Sequence, residues 1–198
     1  MSFGTRFARL ATDVVVRRPS LWPVFRRLME REFDKIAPHW DSMRSADSFA
    51  AFEEALAGVE GPVSDALDLG TGTGIGAATV LRRFPDARVV GADLSDEMLA
   101  VARTKVPGAE FLRADASALP FADDSFDLVT HANMIPFFDE LERVLRSGGS
   151  ALFAFSIGAD TPIYVPPERL RTELAERGFT DFAEFAAARG IALTARKR

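Results

Sequence analysis

A chain of 198 residues, 47% hydrophobic and 27% charged, suits one globular domain with a single large core. With no cysteine, disulfides, thiolate metal sites and a cysteine nucleophile are excluded, and a cytoplasmic setting fits. The net charge of -5 argues against nucleic acid as a main partner, because phosphate binding needs a basic face. Residues 1–40 are the local exception, with eight Arg or Lys against four Asp or Glu. That stretch reads as a solvated helix face, or as an attraction for an acidic substrate or a membrane surface. The first residues lack the apolar core and cleavage site of a signal peptide. No apolar run approaches the roughly 18 residues of a membrane span, so stable membrane insertion is not expected.

Residues 1–60 are predicted to form a helical extension. Phe7, Leu10, Val14, Leu21, Phe25, Leu28, Met29, Phe33 and Ile36 recur at three- and four-residue steps, and Pro19, Pro23 and Pro38 divide the pattern. A further helix starts after Asp47 or Ser48 and ends at Gly58. Strands and helices then alternate through residues 61–198. Strands are expected at 66–69, 88–93, 110–115, 126–130 and 150–156. Helices are expected at 75–84, 96–104, 138–145 and 168–177. Phe179 to Ala187 and Ile191 to Lys197 read as a closing hairpin around Arg189-Gly190. Such alternation predicts a parallel sheet covered by helices on both faces, in one α/β unit with the extension. Ligands of such sheets bind outside the carboxyl ends of the strands.

The residues at those ends carry the chemistry. Gly70-Thr71-Gly72-Thr73-Gly74 lies between a strand and a helix, where glycine permits a sharp turn and close backbone approach to a ligand. Gly72 to Ala77 also fits a dinucleotide pattern, so the loop alone does not name its ligand. Asp93 ends the second strand, where a carboxylate can take both hydroxyls of a ribose, a role common to nicotinamide nucleotides and S-adenosylmethionine (SAM). Asp115 ends the third strand and is placed to accept from an adenine amino group, with the Ala116 N–H beside it. His131 is expected just past the fourth strand, as a general base, a substrate contact or a structural hydrogen-bonder. His39 and Tyr164 are weaker candidates of the same kind. Phe137 and Phe138 are candidates to line an apolar pocket, and Phe3, Phe7 and Trp22 to cover it as a lid. The two histidines and scattered carboxylates form no metal-ligand cluster, so no metal is expected.

In order and spacing, AspLeuGlyThrGlyThrGly (68–74), GlyAlaAspLeuSerAspGluMetLeu (91–99), AspAlaSerAlaLeuProPhe (115–121), SerPheAspLeuVal (125–129) and ArgValLeuArgSerGlyGly (143–149) resemble the class I SAM-dependent methyltransferases. The likeness is to their small-molecule group, which includes ubiquinone- and menaquinone-biosynthesis-type enzymes. It covers residues 64–157 well. Ser147 stands where the family usually has proline, and the segment 131–142 is more compact than the family's usual one. The resemblance implies a Rossmann-like, seven-stranded, mostly parallel sheet with an antiparallel last strand. It implies that Asp68 and Gly70, Thr71, Gly72, Thr73 and Gly74 hold the methionine part of SAM, Asp93 the ribose, and Asp115 with Ala116 the adenine. Leu94 and Met98 would pack near the nucleoside, and Asn133 near the methionine end. The function implied is methyl transfer to a small molecule by in-line displacement, with alignment and desolvation as the protein's contribution. The rival readings are a non-catalytic SAM-binding regulator and a nicotinamide-dependent oxidoreductase. A homodimer is compatible with the N-terminal helices.

Overall fold

The computed structural model describes residues 3–45 and 47–198, with side chains from Arg6 onward. The Phe3 side chain, named above for the lid, therefore lies outside the described residues. Strands β1 (Asp65–Leu69), β2 (Arg88–Asp93), β3 (Glu110–Arg113), β4 (Phe126–Ala132), β5 (Leu145–Phe155), β6 (Phe179–Ala187) and β7 (Gly190–Lys197) form one sheet in the order β3-β2-β1-β4-β5-β7-β6. Neighbours from β3 to β5 pair in parallel, and β7 runs antiparallel to both β5 and β6. Strand order reverses between β1 and β4. A crevice opens there because the connections leave in opposite directions.

Apolar residues on both faces of the central strands require cover on both sides. On one face, α3 (Ala50–Ala57) and α4 (Ile75–Arg83) bury Phe52, Leu56, Ala77 and Val80 against Ala66, Val89, Leu128 and Leu152. On the other, α6 (Phe138–Val144) and α7 (Pro167–Ala175) bury Leu141, Val144, Leu170 and Leu174 against Leu67, Val129 and Phe153. Helix α5 (Asp96–Lys105) packs against β2 and β3. Its start is fixed by the Ser95 hydroxyl, which accepts from the Met98 N–H at 3.1 Å, and Asp96 and Glu97 favour the positive end of its dipole. The remaining helices, α1 (Phe3–Arg17) and α2 (Trp22–Ile36), sit at the sheet's ligand edge. There Val15, Trp22 and Met29 join Ile135, Phe137 and Ile163 in a separate apolar cluster. Of the sixty residues expected as an extension, the last helix thus belongs to the sheet's own layers. Among the described residues, no helix is long and apolar enough to cross a membrane.

Three local boundaries differ from the sequence expectation. Strand β4 continues to Ala132, so His131 lies within the sheet between Leu69 and Phe153. Strand β5 begins at Leu145, directly after α6. Phe126 pairs with Leu145 and Leu128 with Ser150, so the intervening segment bulges, with Gly148 at a φ of 79° that favours glycine. Strand β3 stops at Arg113, which leaves Ala114 and Asp115 in the connection.

That β3–β4 connection has no helix, and Arg143 organises it instead. The guanidinium donates to the backbone carbonyls of Phe121 (2.7 Å) and Leu119 (3.0 Å) and to the carboxylates of Asp123 (2.9 Å) and Glu140 (2.8 Å). Glu140 in turn accepts from the Leu119 N–H at 2.6 Å. A flexible loop would leave these backbone groups to solvent; the clamp fixes the segment that carries Asp115 and Ala116. Replacing Arg143 by alanine should cost about 1–3 kcal/mol, the usual range for breaking such a network. Urea unfolding is the measurement, and stability equal to wild type would show that the clamp contributes nothing.

Candidate active site

The crevice is built around one buried carboxylate. Asp68, 2% exposed, points into the layer between β1, β4 and α4. One of its oxygens accepts from Thr71 Oγ1 and the other from Thr130 Oγ1, each at 2.7 Å. A Cβ on Gly76 would stand 2.6 Å from either oxygen, so α4 can approach only with glycine there. Burial raises the Asp68 carboxyl to about 6, against the two threonine hydrogen bonds, which lower it.

The glycine loop closes on a second carboxylate. The Gly72 N–H donates to Asp93 at 2.8 Å, and the Ser95 N–H donates to its other oxygen at 2.9 Å. Each oxygen keeps a further lone pair for a ligand hydroxyl. Burial pushes the Asp93 carboxyl up, while the N–H donors of Ser95, Gly72 and Leu94 resist. Gly70, Gly72 and Gly74 have φ of 64°, 53° and 85°, which side chains rarely adopt. Thr71 is held by its N–H to the Ala92 carbonyl at 3.1 Å, and Thr73 by its hydroxyl to Asp41 at 2.6 Å.

One pocket gathers most of the expected residues. Asp68, Gly70 to Thr73, Asp93, Leu94, Met98, Ala116 and Asn133 all line it. Asn133 takes a left-handed φ of 55°, which asparagine tolerates, and its side-chain oxygen accepts from the Ser156 N–H at 2.9 Å. Gly74 lies behind the loop, where a Cβ would press on Val106, Ala102 and Phe111. The roof is α2 with the turns that follow: Trp22, Met29, Phe33, Trp40 and Arg44. The far wall is Met134, Ile135, Phe137 and Ile163.

Other expected residues are placed differently. Asp115 does not line the pocket, because the protein itself satisfies it. Trp22 Nε1 donates to one oxygen at 2.9 Å and Arg26 to the other at 2.9 Å, with Ser117 N–H (3.0 Å) and Oγ (2.7 Å) also engaged. Burial would raise its carboxyl, but these donors outweigh burial and hold it below the ordinary range. His131 is 2% exposed and stacks on Phe153 at 4.5 Å, outside the pocket. Neither ring nitrogen makes a well-formed hydrogen bond among the described residues, and burial pushes its pKa down to about 3. A neutral ring enclosed in the sheet has no path to a substrate proton. The strand runs two residues further than the sequence suggests, and this turns the ring away from the edge. Phe137 lines the pocket and meets Trp22 edge-on at 5.3 Å, whereas Phe138 lies in the core. Phe7 supports the roof from the α1 side through Phe25. His39 is exposed, and Tyr164 packs edge-on against Phe155; neither lines the pocket.

Arg44 was not legible in the sequence. Its guanidinium lies 4.7 Å from the Trp40 ring centre and 5.1 Å from that of Phe49, and it forms no ion pair among the described residues. Burial lowers its pKa, while Asp41 and Asp68 favour its charge. A partly buried cation on the pocket wall fits an anionic group of a ligand. The only signal was an arginine four residues after a tryptophan, beyond the end of the helical periodicity.

Residues 66–149 match the methyltransferase domain family. The chain is 38% identical over 135 residues to the demethylmenaquinone methyltransferase of Chlorobaculum parvum, covering 60% of this chain and 56% of that protein. It is 41% identical over 133 residues to the Thermus thermophilus enzyme of the same name, covering 59% and 60%. The matched part therefore spans between half and two thirds of these curated relatives. Among solved structures, a chain of the complex between the Haloferax volcanii Trm112 methyltransferase activator and a methyltransferase superposes with a TM-score of 0.69 at 21% identity. The overlap covers 83% of this chain and 97% of that one, so the two share a fold.

The buried Asp68 gives a stability prediction for this domain. Between pH 4 and 6 the folded chain keeps a proton that the unfolded carboxyl has released, so this group's contribution falls as pH rises through that window. Asp68→Asn should remove the effect. Relative to wild type, the variant should gain about 2–3 kcal/mol between pH 4 and pH 7 in urea unfolding. A difference that stays flat across this range would refute the assignment.

Proposed function

We propose that the chain is a SAM-dependent methyltransferase acting on an apolar small-molecule acceptor. The observation that carries the reading is the pair of carboxylates, buried Asp68 and half-buried Asp93, joined by a glycine loop and facing an apolar chamber roofed by α2. The pocket fits the ligand part by part. Asp93 has lone pairs left for ribose hydroxyls. Leu94, Met98 and Ala116 offer an apolar slot for adenine. Gly70 to Gly72 leave room for the methionine chain, with Asp68 on the side of its ammonium group and Arg44 on the side of its carboxylate.

Bound SAM supplies a methyl group on a sulfonium, and the departing thioether keeps the bonding electrons. The chain's task is alignment and exclusion of water. Trp22, Met29, Phe33, Ile135, Phe137 and Ile163 make the remaining wall apolar. Arg44, Asp68 and Asp93 are the ionisable residues lining the pocket among the described residues, and this reading assigns all three to the cofactor. No lining group is thus placed to remove a proton from the acceptor. This favours an acceptor that is already nucleophilic, such as an electron-rich ring carbon or an ionised oxygen. The names of the curated relatives, which denote quinone-precursor methyltransferases, agree with such a ring. A small-molecule partner and a cytoplasmic location belong to the same proposal, supported by the acidic net charge and the absence of cysteine.

Calorimetric titration with SAM, NADH and NADPH tests the cofactor. Selective SAM binding is expected; none, by a folded protein, would overturn the reading. SAM binding without turnover of any phenol, quinol or small carboxylate would favour the regulatory alternative. Asp93→Ala should weaken SAM binding about 10- to 100-fold, the loss of one charge-assisted hydrogen bond or more. Affinity should also rise as pH passes through about 6, because an ammonium group favours ionised Asp68. His131→Leu should leave kcat/KM near the wild-type value; a large drop with normal SAM binding would restore His131 as a base.

A further inference from the structure

We infer that the outer face of α2 docks on an anionic lipid surface. The helix has two faces with different tasks. Trp22 and Met29, 5% and 4% exposed, turn inward to roof the pocket. Val24 and Leu28, with Leu21 just before the helix, turn outward, and Val24 is 73% exposed. Arg27 and Arg31 are exposed on the same side, since positions 24, 27, 28 and 31 recur at helical steps. The acidic residues of the helix are turned away or neutralised. Glu30 pairs with Arg113, Asp34 accepts from the Ser95 hydroxyl at 2.6 Å, and Glu32 pairs with Lys35 at 2.6 Å.

Apolar tips interleaved with unopposed arginines, on a chain of net charge -5, form a segregated basic patch. Water is a poor solvent for this face and a zwitterionic surface gives no attraction to its charges. Anionic headgroups over hydrocarbon satisfy both components. Self-association through this face would set Arg27 and Arg31 against their own copies, and a phosphate ladder would leave Val24 and Leu28 in water. The lower side of the same helix forms the pocket roof, so docking would bring the chamber to the source of an apolar acceptor. The docking itself does not require the chain to transfer methyl groups, and its test uses no cofactor.

Flotation of the full chain with vesicles of phosphatidylcholine, alone or mixed with phosphatidylglycerol, is the experiment. Binding to the mixed vesicles only, weakened by salt, is expected. Arg27→Glu with Arg31→Glu should lower the partition coefficient at least about fivefold per charge. Val24→Ser with Leu28→Ser should reduce it while leaving the thermal melt unchanged, as both sites are exposed. Three outcomes would overturn the inference: no binding by folded wild type, equal binding to both vesicles, or variants that bind like wild type. Sedimentation showing a dimer that the serine variant dissociates, without vesicle binding, would assign the face to a second copy instead.

Discussion

Asp68 is the point at which three separate segments meet. Its two threonine partners come from the glycine loop and from β4, across the place where strand order reverses. Without that bridge the two strands would still pair through their backbones, but the loop would lose the anchor that sets its distance from β4. The cost is a carboxylate removed from water, visible in its raised pKa. The gain is a crevice whose floor is rigid before any ligand arrives. Gly76 follows from the same constraint, because the carboxylate occupies the volume of its missing side chain.

The roof is assembled on different terms. Helix α2 is held to the sheet edge by a series of polar contacts four residues apart: Arg26 to Asp115, Glu30 to Arg113 and Asp34 to Ser95. Most of these are partly exposed pairs, each worth little alone. The apolar cluster of Val15, Trp22, Met29, Ile135, Phe137 and Ile163 supplies the larger share of the attraction. A roof fastened independently of the floor suits a pocket that must open to exchange ligands and close to exclude water.

The domain was legible where periodicity and local chemistry agree. The alternation of short apolar runs with helical repeats specified seven strands and their helices. The glycine loop and Asp93 were readable as positions because each lies at or just after the carboxyl end of a strand that its own short apolar run specifies. Legibility failed where the deciding contact is distant in sequence. Nothing near Asp115 indicates that Trp22 and Arg26 will take its carboxylate, since those partners lie about ninety residues away. His131 looked like an edge residue because HisAla after Thr130 carries no strong strand signal, yet pairing on both sides extends β4 past it. Arg44 and Trp40 fall in short turns after a helix, where no period exists to assign a face.

The occupied state of Asp115 makes ligand recognition a competition inside the molecule. An adenine amino group would meet one oxygen that already accepts from Trp22 and Ser117 and another that faces the Arg26 guanidinium, so the added contact yields little net free energy. Fragments such as adenine or adenosine would then have little to gain from the pocket. A larger ligand that also met Asp93, Asp68 and Arg44, as proposed, would draw its gain from those contacts instead. Discrimination against the cell's abundant adenine nucleosides would thus arise from a threshold set by the protein's own side chains, without a dedicated contact that rejects them.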